Sequence, residues 1–247
     1  MIKLSRVSRP TYLTDQVVAD LTAKFKLTGE SVWNDERLKA PLRGSSYGKC
    51  AYCECSVTEE SKYMEVEHFK DKSSYPDDVI VWENLLPSCK RCNGIKGGHD
   101  VLEAPIINPY EDIPRDHVVY KNYRLKGITD KGVDTIEAVG LNGYERVALK
   151  RFEIGNAVLE SLDECALKLS EYEDKKTTRS RNRVSRFMED ILSECQPSAT
   201  YAATTASIAV HSEVFLDLMP RMKSVGAWSQ ECEMLYLIAV SIALPVR

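Results

Sequence analysis

The sequence of residues 50–97 is CAYCECSVTEESKYMEVEHFKDKSSYPDDVIVWENLLPSCKRCNGIKG, and this stretch decides the fold. It begins and ends with a Cys-x-x-Cys pair, Cys50 with Cys53 and Cys89 with Cys92. Two such pairs are typical of tetrahedral zinc sites, because Zn²⁺ binds thiolates readily and both sulfurs of one pair can reach a single ion. We therefore expect a structural zinc ion that ties the two ends of the segment together.

Other interpretations of the cysteines stay open. The interval from Cys53 to Cys89 is longer than in most zinc fingers, so a zinc site requires a folded hairpin between the pairs. Without a metal, the four thiols could be buried core groups or a redox pair, and Cys55 competes with Cys53 as a ligand. Three further cysteines lie in helical patterns and are expected to be small core residues: Cys165, Cys195 and Cys232.

The segment between the two pairs contains the candidate catalytic residues. Apolar and polar residues alternate up to His68, which predicts a β-strand ending there. A neutral imidazole near pH 7 is suited to take a proton from an attacking water. Glu67 and Asn93 offer carboxylate and amide oxygens, which hard divalent ions such as Mg²⁺ or Mn²⁺ prefer. Glu67 and His68 can serve one site only if the strand ends or distorts at this point, because neighbouring strand side chains point to opposite faces.

Three motifs carry a resemblance to a known family: Glu67-His68, Trp82-x-Asn84-Leu85 and Cys89-x-x-Cys92-Asn93-x-x-Lys96. In this order they resemble the HNH endonuclease motif. More narrowly, the chain resembles the PtuB nucleases of Septu-type and some retron-linked anti-phage systems, from Leu4 to about Arg151. The resemblance implies a ββα-metal core in which two strands and a helix surround a catalytic ion.

The resemblance also implies roles for single residues. His68 would be the general base, Asn93 would bind the ion with Glu67, and Asn84 would brace the loop behind His68. Many HNH proteins have Asp where this chain has Glu67. Three cations near Asn93 are candidate phosphate contacts, although each could equally be a solvated surface charge: Lys96, which matches a family position, and Lys90 and Arg91.

The whole chain is expected to have an α+β fold in four regions. They are an N-terminal helical arm (1–45), an HNH nuclease unit with its four-cysteine zinc site (46–110), a loop with a β-hairpin (111–142) and a helical partner-docking region (143–247). The segment VIVWEN (79–84) is expected to form the second strand of the nuclease unit. The later hairpin is expected to pair strands around 117–123 and 134–139.

The helical region has two further features. Apolar residues at alternating steps of four and three predict a long helix with a packing seam: Ala148, Phe152, Gly155, Leu159, Leu162, Ala166 and Leu169. A partner protein or the helices that follow could cover this seam. The basic stretch Lys175–Arg186 is expected to be a break between helices, with binding to a nucleic-acid backbone as the alternative.

Composition limits the possible functions. The 247 residues have a formal charge of −4, so the net field of the protein does not favour nucleic acid, and binding must come from a local patch, a metal or a partner. The N-terminus has no apolar signal-peptide core, and no apolar run is long enough to cross a bilayer. We expect a cytoplasmic protein without membrane contact.

The residues predict metal-dependent hydrolysis of phosphodiester bonds in DNA or in RNA such as tRNA. The resemblance implies an effector of an anti-phage complex with a PtuA-type ATPase, joined in some systems by a retron reverse transcriptase and its RNA–DNA product. Two alternatives are a stand-alone restriction-type HNH nuclease and a non-catalytic, zinc-stapled module that binds nucleic acid or protein.

Overall fold

The computed structural model describes residues 1–59 and 63–246. The chain divides into two compact units: residues 1–117 with 126–142, and residues 118–125 with 143–247. The first unit contains all the predicted site residues. The second is almost entirely helical. The fold is therefore a mixed α+β structure with a helical C-terminal half, as the sequence predicts.

The N-terminal unit is built from short elements. In chain order they are α1 (Asp15–Thr28), α2 (Glu36–Ser45), β1 (Met64–His68), β2 (Leu85–Cys89), α3 (Lys90–Lys96) and α4 (Asp130–Ala138). The hairpin of β3 (Val118–Lys121) and β4 (Arg124–Gly127) lies between α3 and α4 in the chain, and residues 118–125 of it belong to the second unit. Residues 1–13 form no helix, so the predicted helical arm has an extended start. The helices of the C-terminal unit are α5 (Leu149–Lys175), α6 (Thr178–Ser193), α7 (Ala202–His211), α8 (Glu213–Ser224) and α9 (Gln230–Ile242).

Strands β1 and β2 form an antiparallel pair that leads directly into α3. Met64 lies opposite Cys89 and His68 opposite Leu85, so the pair begins at the zinc cysteines and ends at the candidate base. The predicted strand ending at His68 is confirmed. Two strands followed by a helix give a ββα arrangement around which the first unit is built.

The prediction that residues 79–84 form the second strand is wrong. Trp82–Asn84 is a single 3₁₀ turn, and the strand starts only at Leu85. Arg6 stabilises this turn, because its guanidinium donates to the carbonyl oxygens of Trp82 at 2.8 Å, Leu85 at 2.9 Å and Glu83 at 2.9 Å. The carbonyl oxygens of Trp82 and Glu83 therefore face Arg6 and not a neighbouring strand.

Helix α3 starts at Lys90, three residues before Asn93, with Cys89 as its N-cap. The Cys89 sulfur accepts from the Cys92 backbone N–H at 3.5 Å. Gly97, at φ +48°, ends the helix, where a glycine is favoured because a Cβ would be strained. Asn93 therefore lies inside the helix.

The later hairpin is shorter than predicted, and its second strand lies elsewhere. Asn122 and Tyr123, at φ +48° and +63°, make a tight turn between β3 and β4. Residues 134–139, predicted as a strand, belong mostly to α4. The Thr129 hydroxyl caps this helix by accepting from the Gly132 N–H at 3.1 Å, a local signal that outweighs the β-branched residues that follow.

The core of the C-terminal unit is formed along α5. Its buried residues Val158, Leu162, Cys165 and Leu169 pack with residues of the four later helices. The predicted seam is thus covered by the chain's own helices, and its register differs from the prediction because Phe152 is 45% exposed. The prediction that Cys165, Cys195 and Cys232 are core residues is confirmed, since all three are buried.

The basic stretch Lys175–Arg186 is not a break between helices. Helix α5 extends through Lys175 and α6 starts at Thr178, so only two residues separate them. The Thr177 hydroxyl caps α6 by accepting from the Ser180 N–H at 3.1 Å. Among the described helices, none combines the length and the apolar composition needed to cross a membrane.

Candidate active site

The four predicted zinc cysteines lie together at one end of the ββα unit. The Sγ atoms of Cys50, Cys53, Cys89 and Cys92 all lie within 4.8 Å of one another, and those of Cys53 and Cys89 are 3.8 Å apart. Sulfurs that bind one zinc ion at about 2.3 Å are about 3.8 Å apart in a tetrahedron. The cluster can therefore hold a metal ion, and its dimensions are compatible with zinc.

The four thiols influence one another's protonation. Burial raises the pKa of the Cys50 thiol, but hydrogen bonding with the thiols of Cys53, Cys55, Cys89 and Cys92 outweighs it and holds the pKa well below its ordinary value, whereas hydrogen bonding with Cys50 raises the pKa of the Cys53 thiol well above it. The Arg91 guanidinium lies 3.7 Å from the Cys92 sulfur. Cys55 lies outside the group of four. The structure thus selects Cys53 over its competitor.

His68 lies at the end of β1 with its imidazole held by the backbone. Nε2 is 2.9 Å from the carbonyl oxygen of Val79. A carbonyl can only accept, so Nε2 carries the proton and Nδ1 carries the lone pair in the neutral ring. Burial is the main cause that lowers the pKa of His68, to about 4. The ring is therefore neutral at physiological pH and able to accept a proton.

Trp33 fixes the other side of the imidazole. Its ring meets that of His68 edge to face, with centroids 4.5 Å apart. The ammonium of Lys72 lies over the Trp33 ring, 5.6 Å from its centroid. Sequence analysis did not identify Trp33, because nothing in the local pattern links residue 33 to residue 68.

Glu67 is buried and paired with a lysine from α3. Its Oε1 lies 2.7 Å from Lys96 Nζ, and Lys96 also donates to the His68 carbonyl oxygen at 2.9 Å. Burial raises the pKa of Glu67 to about 7, although the charge of Lys96 opposes this shift. The buried Lys96 ammonium therefore stabilises the ionised form of the Glu67 carboxyl group.

Asn93 projects from α3 toward the same strand. Its Nδ2 donates to Glu65 Oε2 at 2.6 Å, so its Oδ1 remains as the acceptor. Glu65 and Glu67 are two residues apart on β1 and lie on one face of the strand. Glu65 was not predicted as a site residue, although its position two residues before Glu67 is a signal that could have identified it.

Asn84 has a bracing position. Its side-chain oxygen accepts from the Lys70 N–H at 2.7 Å, and its amide nitrogen donates to the carbonyl oxygens of Lys70 at 3.1 Å and Asp78 at 3.0 Å. These bonds close a loop of residues 70–78 within the connection between β1 and β2. Val79, which holds the His68 ring, follows this loop directly. Asn84 does not touch the cavity described next.

A cavity of about 280 Å³ joins the polar groups. Glu65, Glu67, His68 and Asn93 all line it, and its remaining walls come from Trp33, Asn34, Lys39, Met64, Val66, Asp71, Lys72 and Gly97. Glu67 and His68 reach one cavity because the strand ends at His68. Carboxylate and amide oxygens beside a neutral imidazole are a donor set that fits a hard divalent ion.

The three predicted phosphate contacts, Lys96, Arg91 and Lys90, differ in their exposure and in their partners. Lys96 is 3% exposed and paired with Glu67, so it cannot extend to a ligand at the surface, and that expectation is wrong. Arg91 donates to the Gly140 carbonyl oxygen. Lys90 is exposed. Lys39 and Lys72, which line the cavity, are cations that the sequence analysis did not select.

Comparisons with known proteins identify similar bacterial sequences. The chain is 42% identical over 234 residues to the Septu protein PtuB of Bacillus thuringiensis, covering 94% of this chain and 90% of the relative. It is 29% identical over 193 residues to the Septu protein PtuB of Bacillus mycoides strain KBAB4, covering 59% and 64%. No family model and no solved structure matches the chain.

The fold and the site together define a mixed α+β protein with a four-cysteine cluster that can hold a metal ion at the base of a ββα unit. With 42% identity over nearly the full length of both chains, the protein belongs to the PtuB family of Septu proteins.

Proposed function

We propose that this protein is a metal-dependent endonuclease of the HNH type that acts as an effector in Septu anti-phage defence. The chemistry is hydrolysis of phosphodiester bonds in DNA or RNA. Its membership of the PtuB family supports the defence role. The ββα unit and the residues around its cavity support the nuclease chemistry.

One observation carries the proposal. The Nε2–Val79 bond leaves Nδ1 of His68 unprotonated, and this imidazole shares a cavity with the oxygen donors Glu67 and Asn93. A base and a hard-cation site side by side are what phosphodiester hydrolysis requires. Core packing alone does not explain the imidazole or the oxygen donors at these positions.

In the proposed mechanism, His68 Nδ1 removes a proton from a water molecule, and the water oxygen bonds to phosphorus as the bond to the departing sugar oxygen breaks. Glu67 and the Asn93 amide oxygen would hold Mg²⁺ or Mn²⁺, and the chemistry that such an ion would supply is stabilisation of the negative charge on the departing oxygen. Lys96 holds Glu67 in place, and Glu65 orients the Asn93 amide. Trp33 and the Val79 carbonyl fix the ring plane of His68. A zinc ion on the four cysteines would join the turn at Cys50–Cys53 to the end of β2 and the start of α3.

We propose that a PtuA-type ATPase docks on the helical region 143–247, and that some systems add a retron reverse transcriptase with its RNA–DNA product. Helix α9 has an exposed apolar face that supports docking, with Met234 48%, Leu237 60% and Ile238 41% exposed. Exposed apolar side chains at spacings of three and four form one stripe on a helix. A stand-alone restriction-type nuclease would need no such stripe.

A non-catalytic module is the second candidate, and the Glu67–Lys96 ion pair favours it. A carboxylate already matched by a buried ammonium has less need of a metal. The two candidates differ in whether a divalent ion binds at Glu67 and whether nucleic acid is cut.

Cleavage can be tested with the purified full-length protein, alone and with a co-expressed PtuA-type ATPase. The protein is incubated with duplex DNA or with total cellular RNA, in Mg²⁺, in Mn²⁺ and in EDTA. We expect one pool to shorten only with the divalent ion. If both pools stay intact under every condition, including with the ATPase and ATP, the nuclease proposal fails and the binding-module candidate takes its place.

A further inference from the structure

A second cationic surface lies far along the sequence from the cavity, between α5 and α6. It is a groove of about 880 Å³, and its basic side chains are Lys168, Arg179, Arg183 and Arg186. The three arginines are exposed on α6, spaced by four and three residues, so they form one row on one face of that helix. We call this surface the α6 groove.

The arginines of the α6 groove are not used in the fold. In the described part of the chain, none of Arg179, Arg183 and Arg186 takes part in a salt bridge. Like charges at these spacings destabilise a helix slightly. A row of cations that opposes helix stability requires a reason outside the fold.

We propose that the α6 groove binds the phosphate backbone of the nucleic acid that the enzyme cuts. This inference rests on the proposed nuclease function and adds a substrate-binding surface outside the catalytic cavity. The formal charge of the chain is −4, so a local surface of this kind is what would let it bind a polyanion.

The chemistry of the α6 groove favours phosphate over other ligands. A guanidinium donates two parallel hydrogen bonds to a phosphate, and Thr178 and Asn182 add neutral polar groups. Arg179 and Arg186 are separated by a helix rise of about 10 Å, so the row is longer than a single phosphate group. The groove has two acidic residues, Glu164, which is paired with Lys168, and Asp190.

The groove offers little to a protein partner. Phe187 is its one aromatic residue, half-buried, and the Lys168 ammonium lies over the ring, 4.5 Å from its centroid. Protein interfaces depend on a core of desolvated aromatic or apolar anchors. The groove has no aromatic platform for bases, so we expect binding through the backbone and without sequence preference.

The test compares two charge-matched triple variants of the full-length protein. The groove variant is R179Q/R183Q/R186Q. The control is K121Q/R146Q/R181Q, which removes three exposed cations outside the groove, one of them on α6 itself. Glutamine keeps a helix propensity close to that of arginine, so both variants should fold. Circular dichroism checks this.

Binding is measured by fluorescence anisotropy in EDTA, with labelled duplex DNA and duplex RNA, across a salt series. For duplex DNA we expect the groove variant to bind about tenfold or more weakly at 100 mM salt, and the slope of log affinity against log salt to fall by about two to three. The control should keep most of its affinity and slope. Equal losses in both variants would show a general charge effect and overturn the proposal.

Two other outcomes also decide the matter. If the groove variant binds nucleic acid normally but no longer co-purifies with the ATPase, the groove is a protein-docking surface and the proposal is wrong. The binding assay contains no divalent ion, so it is independent of cleavage. If wild type fails to cut but shows groove-dependent binding, the nuclease proposal alone fails.

Discussion

His68 Nε2 lies 2.9 Å from the Val79 carbonyl oxygen, and this contact fixes which ring nitrogen of His68 can act as a base. Val79 directly follows the loop that Asn84 closes with three hydrogen bonds. The protonation state of the imidazole is therefore set by backbone that a buried asparagine keeps in place. Asn84 therefore affects the His68 imidazole through that loop, although it does not line the cavity.

Replacing Asn84 by alanine should destabilise the protein. The change removes three hydrogen bonds and leaves partly buried backbone groups of Lys70 and Asp78 without these partners, which costs about 1–3 kcal/mol for each group that water cannot reach. Urea unfolding followed by circular dichroism gives the difference. The control Asn182→Ala, at an exposed helix position, should change the free energy of unfolding by less than about 0.5 kcal/mol. Equal stabilities for the two variants would show that Asn84 braces nothing.

Trp33 should affect the rate of cleavage more than it affects folding. Trp33→Leu removes the edge-to-face contact with His68, and a ring that can tilt loses its alignment with the attacking water, so we expect cleavage to slow about tenfold or more. Trp33→Phe keeps an aromatic edge and should recover most of the rate. The affinity for nucleic acid in EDTA is measured in parallel. If both variants lose affinity and neither loses rate on bound substrate, Trp33 binds substrate and does not position the base.

Replacing Lys96 distinguishes its role in the buried ion pair with Glu67 from a contact with phosphate. Lys96→Met leaves the Glu67 carboxylate buried and unpaired, so we expect a loss of about 3–5 kcal/mol in the free energy of unfolding. The exposed neighbour Lys90→Met should cost little stability. A stable Lys96→Met protein with weakened nucleic-acid affinity would restore the interpretation as a surface phosphate contact.

The affinity for Mn²⁺ should depend on pH through Glu67. Burial raises the pKa of this carboxyl to about 7, above its ordinary value, so the proton is retained at pH 6 and must be displaced by the ion. Affinity should then rise up to tenfold per pH unit below pH 7 and level off near pH 8. His68, with a pKa of about 4, is already neutral over this range and does not contribute. Calorimetric titration from pH 5.5 to 8.5 measures the dependence, and a constant affinity would exclude Glu67 as a ligand.

Serine variants can distinguish the four cysteines that would bind zinc from their neighbour Cys55. Cys53→Ser should reduce bound zinc from one ion per chain to near zero and unfold the first unit, because the metal contributes directly to folding. Cys55→Ser should keep one ion per chain. Zinc content is measured by mass spectrometry after gel filtration. Loss of zinc in Cys55→Ser with retention in Cys53→Ser would reverse the assignment.

The sequence predicted the parts of the site that depend on short spacings. The cysteine pairs and the strand ending at His68 follow from residues close together in the chain, whereas the bracing position of Asn84 was implied by the resemblance to the HNH motif. The sequence failed where distant residues decide the local structure. Arg6 stabilises the turn at Trp82–Asn84 from almost eighty positions away, and Trp33 reaches His68 from another element. No local periodicity records either contact.

The sequence also could not show whether the charged side chain of Lys96 points outward or inward. Its position one turn after Asn93 is equally compatible with a surface contact and with an inward ion pair. The choice depends on Glu67, which lies opposite Leu86 on the neighbouring strand. Only the three-dimensional arrangement shows which side of α3 faces the strand.

The cleavage rate of His68→Ala tests the central claim most directly. It is measured on the pool that wild type cuts, with Mg²⁺, beside the control His211→Ala, whose exposed imidazole lies at the end of α7. We predict that His68→Ala loses cleavage by about a hundredfold or more while keeping its zinc and its circular dichroism spectrum, and that His211→Ala cuts at the wild-type rate. A folded, zinc-bound His68→Ala protein that cuts as fast as wild type would contradict the account.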